Sequence, residues 1–168
     1  MRITLLIGPS EISASRLRSV LAHNATQLAE RGIVVPGWKH SRLYLAACQP
    51  DEVSLFRWQR GYGRKALQRT LPDKLHHEMT QIIDEQRPDH IVFNNAQLAS
   101  LLHHPEELTR LRDLLTPYSS DIQVVAHVDE QARMLASHYA AQVFAGRRQG
   151  LELEFGLLSD TSWWHNAL

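Results

Sequence analysis

The residues Pro9 to Ser15 (PSEISAS) follow the apolar run Met1 to Gly8 (MRITLLIG) and lead into a stretch of helical periodicity. A strand that enters a helix in this way has the layout of a phosphate-binding loop. Backbone amides at the helix amino end, together with the Ser10, Ser13 and Ser15 hydroxyls, have the chemistry to hold an anion. Serines at such positions are more often helix caps than phosphate ligands. A second candidate is the pair Asn94 and Asn95, directly after the apolar run His90 to Phe93 (HIVF). The carboxyl ends of strands are where open α/β sheets take ligands, although asparagines there also build turns.

A third candidate is a basic segment in which Arg57, Arg60, Arg64, Lys65 and Arg69 alternate with Trp58 and Tyr62, with no acid between Glu52 and Asp73. Such a segment can grip phosphates, nucleic acid or an acidic partner, or it can be a solvated face with aromatic cover. The pairs His76-His77 and His103-His104 lack the helical spacing and acidic partner of a metal site, so no metal is expected. The lone Cys48 excludes an internal disulfide and fits a buried thiol in a reducing compartment rather than a nucleophile.

These groups need elements to position them. Ile3, Leu5 and Ile7 predict a strand over about residues 2–8. Leu17, Val20, Leu21, Ala25, Leu28 and Ala29 recur at helical spacing and predict one helix, capped by Ser13 or Ser15 and stopped at Gly32. Gly32 to Gly37 is a short extended piece. Helices are expected over 43–48, 52–59, 73–86 (capped by Asp73), 105–116 and 130–145, and further strands over 90–94 and 122–128. Leu151, Leu153 and Phe155 alternate as in an edge strand, and Trp163 and Trp164 resemble an anchor. Strands separated by helices predict an α/β fold with a parallel sheet flanked by helices on both faces.

The 168 residues suit a single domain over 1–168. Eighteen basic residues balance eighteen acidic ones, so no global field recruits nucleic acid or an anionic membrane. No apolar run approaches the roughly 18 residues of a membrane span, and Ile3 to Ile7 is too short for a secretory signal, so a cytoplasmic protein is expected.

Strand plus IGP, LAERGIVVPG, HIVFNNAQL and VVAHVDEQARMLASHYAAQVFAG together resemble the bacterial sulfotransferase family over roughly residues 3 to 146. The resemblance implies a P-loop-type α/β sandwich that transfers a sulfuryl group from 3′-phosphoadenosine 5′-phosphosulfate (PAPS) to a hydroxyl or amine. The family's loop reads like GxHKTGTT. Here the matching residues are Gly8, Pro9, Ser10, Glu11, Ile12, Ser13, Ala14 and Ser15, so Glu11 stands at the lysine position and Ser13 at the glycine. A carboxylate facing the phosphosulfate is repulsive by about 4 kcal/mol at contact distance. Asn94, Asn95 and Ala96 occupy the acceptor-side Ser-Ser-Glu positions. Asp129 occupies the position of an arginine for the donor's 3′-phosphate, while Ser137 matches that site's serine. His40 has the chemistry of a general base in such a cleft, but with ten histidines present a solvated or packed role competes.

The expectation is therefore a sulfotransferase-like domain with a degenerate PAPS site, a non-catalytic binding or assembly module with no cofactor. Family members usually continue past the third strand-helix unit, so the chain is expected to be truncated, or one part of a larger protein, with a protein partner or further domain. One alternative is an active PAPS-dependent sulfotransferase in which Arg16 or the basic segment replaces the missing charge. The other is a polyanion or nucleic-acid binder acting through that segment, and nucleic acid is the less favoured.

Overall fold

The first apolar run forms the strand it predicts, β1 (Arg2–Ile7), with Ile3 and Leu5 buried on one face and Thr4 on the other. The computed structural model describes residues 1–8, 11–37, 42–128, 130–144, 146–148 and 150. The expected edge strand over 151–155 and the anchor Trp163-Trp164 lie outside them.

The predicted long helix is instead two, α1 (Glu11–His23) and α2 (Ala25–Ala29). They divide at Asn24, whose side-chain amide donates to the Val20 carbonyl at 2.8 Å. Such a local bond competes with the helical ladder. The predicted stripe is correspondingly shallow: Leu17, Leu21 and Leu28 are half-buried and Val20 is exposed. Because α1 begins at Glu11, Ser13 and Ser15 lie within its first two turns and neither is its cap. Gly32 takes the left-handed conformation expected of it, at φ 70°, and leads into β2 (Ile33–Val34).

Four helices precede the next strand: α3 (Arg42–Ala47), α4 (Leu55–Gln59), α5 (Lys65–Arg69) and α6 (Leu71–Gln86). α6 starts ahead of its expected Asp73 cap, because Pro72 sits in the first turn, where its missing N–H costs nothing. Arg87 closes it in a left-handed conformation at φ 45°, ahead of Pro88. The remaining elements of this part are β3 (His90–Asn94), α7 (Gln97–Ser100), α8 (Pro105–Leu115) and β4 (Asp121–Ala126).

Among the described residues the sheet is four-stranded and all parallel, in the order β2-β3-β1-β4. The register sets Ile3 beside Ile91 and Leu5 beside Phe93, so these side chains share one face. That face packs on Leu43, Leu71, Leu75, Met79, Leu111 and Leu115 from α3, α6 and α8. Each such buried side chain contributes about 2 kcal/mol. The opposite face presents Thr4, Val92 and Asn94, all buried, and α1 packs against β3 there. The central strands are thus flanked by helices on both faces, as the sequence predicts. β4, at the sheet edge, differs: Val124 is 60% exposed and Val125 47%.

Contacts group the chain into two units, Met1–Val128 and Asp129–Leu168. The second contains α9 (Gln131–Phe144), followed by Gly146 at φ 101°, the stop its position predicts. Among the described residues no helix is long and apolar enough to cross a membrane.

Candidate functional site

The carboxyl ends of β1 and β3 lie side by side, and their continuations leave to opposite faces of the sheet, β1 to α1 and β3 to α7 and α8. Such a switch point is where an open α/β sheet takes a ligand. Gly8 follows β1 and is buried. A Cβ on it would stand 2.9 Å from the His127 carbonyl oxygen, while the His127 amide donates to the Ile7 carbonyl at 2.7 Å. Close packing on the backbone that follows β4 thus explains the glycine without a phosphate.

α1 starts at Glu11. Ser10 and the side chains of Glu11 and Ser13 lie outside the described structure. Ser15 and Arg16 are exposed on α1, and the Ser15 carbonyl accepts from Ser19 Oγ at 3.1 Å.

Asn94 and Asn95 are 2% and 1% exposed. Asn94 Nδ2 donates to the Ala14 carbonyl at 2.7 Å, tying the end of β3 to the first turn of α1. The Asn95 amide donates to the Leu6 carbonyl at 2.9 Å, and its Oδ1 accepts from the Gln97 amide at 3.1 Å, which starts α7 as an Asx turn does. The side chains that close the strand ends are therefore amides bonded to the protein's own backbone.

The basic segment divides into an inner and an outer part. Arg57 is wholly buried, so it does not belong to a surface patch as its sequence neighbourhood predicts. Its guanidinium donates to the carbonyls of Gln49 at 2.7 Å, Pro50 at 3.2 Å and also Glu52, holding the turn between α3 and α4. Tyr62 is half-buried against the core. Trp58, Arg60, Arg64, Lys65 and Arg69 are exposed.

A polar cluster that sequence reasoning missed supports this turn. Glu107, 4% exposed, accepts from the Gln49 amide at 2.8 Å, the His103 amide at 2.8 Å and the His104 amide at 3.1 Å. Arg110 Nε donates to the Ala47 carbonyl at 2.8 Å. Gln68, 2% exposed, donates to the Leu45 carbonyl and to Cys48 Sγ. Burial pushes the Cys48 thiol up to about 11 and also raises Tyr44. One sequence signal was available, because a helix-starting Pro105 followed by Glu107 suits a capping box with His104 as cap.

His40 and Asp129 lie outside the described residues. Ser137 is half-buried on α9, in the second unit. His76 lies against Tyr118, and the His103 and His104 amides serve Glu107. No family model matches this chain, and no curated protein or solved structure does either.

Proposed function

We propose that this chain is a sulfotransferase-like α/β domain whose donor site has been given over to holding the fold, and which acts as a non-catalytic binding or assembly module. The observation that carries this is the Asn94 bond to the Ala14 carbonyl at 2.7 Å, which ties the acceptor-side end of β3 to the helix that follows the loop. Glu11 at the start of α1 adds the wrong charge for a phosphosulfate, and Asp129 does the same at the position matched to the 3′-phosphate. A free, buried Cys48 suits the reducing cytoplasm.

Titration calorimetry with PAPS and with its desulfated product tests this. The expected result is no heat at millimolar ligand. Micromolar affinity would overturn the proposal and favour an active transferase, with exposed Arg16 the first cation to examine. The double change Glu11→Lys and Asp129→Arg is expected to raise donor affinity from this baseline.

A further inference from the structure

Two buried anchors fix the segment that joins α4 to α5. Arg57 holds the carbonyls of Gln49, Pro50 and Glu52, and its own carbonyl accepts from the amides of Arg60 at 3.2 Å and Tyr62 at 2.9 Å. Gln68, in α5, is bonded to Leu45 and Cys48 at the end of α3. Between these anchors the side chains of Trp58, Arg60 and Arg64 are exposed, and Arg69 follows just beyond. Trp58 is 68% exposed, yet its ring rests on Gly63, where a Cβ would come within 2.8 Å of indole Cδ1. The glycine therefore seats the ring on the turn.

Two acids of the turn before α4, Asp51 and Glu52, are already engaged. Asp51 pairs with Lys65 at 3.0 Å, and Glu52 with His104 at 3.4 Å. The Arg64 side chain makes no ion pair or hydrogen bond among the described residues. A basic run with glycines on both sides of a tyrosine would ordinarily lose much entropy on binding. Here the backbone is fixed in advance, which lowers that cost.

We infer that this face docks an acidic, extended peptide segment of a partner protein, with an apolar side chain of that segment laid on Trp58, an inference that rests on the binding role proposed above. Arginine and tryptophan are the residue types that dominate interface hot spots. Nucleic acid fits less well: its affinity comes from neutralising many phosphates, and this chain balances eighteen basic with eighteen acidic residues.

The test uses the full chain and a fluorescein-labelled peptide of glutamate, glycine and phenylalanine, followed by anisotropy at low and high salt. Saturable binding that weakens with salt is expected. The triple change R60A/R64A/R69A should lower affinity about tenfold or more with the melting temperature unchanged. Trp58→Ala should weaken binding of the phenylalanine peptide but not of its counterpart with glycine in place of phenylalanine. Should the triple variant melt early, Arg64→Ala alone gives the same discrimination. No binding to the wild type, unchanged affinity in these arginine variants, or equally tight binding of an oligothymidylate overturns the surface. The PAPS titration separately decides the non-catalytic role.

Discussion

Arg57 Nη1 lies 2.7 Å from the carbonyl oxygen of Gln49, so a guanidinium from the chain's most basic segment faces inward and fastens a turn. Arginine suits this role because its planar fork serves several carbonyls while keeping its charge. Arg57→Ala leaves those carbonyls buried without their donor and is expected to cost about 3 kcal/mol. Urea denaturation checks it. Arg57→Lys should recover little, and a loss below about 0.5 kcal/mol would show that the bonds add no net stability.

Asn94 gives a second stability test. Asn94→Ala should cost about 1–3 kcal/mol, through the buried hydrogen bond lost between the end of β3 and α1. Asn94→Asp should cost more, since it sets a carboxylate against a carbonyl oxygen. A stable Asn94→Asp protein would mean that the end of β3 opens readily to solvent.

Gly8→Ala separates close packing from anion binding as the reason for the glycine. The new Cβ would meet backbone at His127, which cannot yield as a side chain does, and about 1–3 kcal/mol of destabilisation is expected. The loss should be the same with or without phosphate in the buffer.

Cys48 predicts an alkaline effect. Its folded thiol holds a proton up to about 11, against an ordinary 9.0. The folded state therefore binds that proton more tightly than the unfolded chain does. The associated stability is complete below about pH 9 and declines as pH rises toward 11. Melting of wild type and Cys48→Ala across that range should converge as pH rises. A thiol reagent at neutral pH should label Cys48 only after denaturant is added.

His90 predicts the opposite edge. Burial, and then the nearby Arg2, lower its pKa below the ordinary 6.5, while Thr4 Oγ1 lies 2.8 Å from its Nε2. The unfolded state then gains the proton first, so this contribution is present above pH 6.5 and is lost as pH falls through the folded value. His90→Gln should flatten the melting temperature against pH on the acid side.

The strands and their parallel pairing were legible because short apolar runs between helical periods leave few other packings. The strand order was not, since no local pattern says that β1 lies between β3 and β4. The division at Asn24 was missed because the stripe of Leu17, Leu21 and Leu28 continues through it while one side-chain bond interrupts the ladder. Arg57 looked like its basic neighbours because charge in sequence carries no sign of burial. Asn94 and Asn95 were placed correctly at a strand end, but the partners that engage them, Ala14 and Gln97, come from separate elements.

The sheet order also sets a timetable for folding. β1 is central, yet its neighbours β3 and β4 are made up of residues 90–94 and 121–126. During synthesis β1 must wait, apolar and unpaired, until most of Met1–Val128 has emerged. Closing such long loops is entropically costly and makes pairing slow. Ile3 to Ile7 is consequently a segment exposed to chaperone capture or misassembly on a nascent chain, and a pause placed before residue 90 should lengthen that exposure.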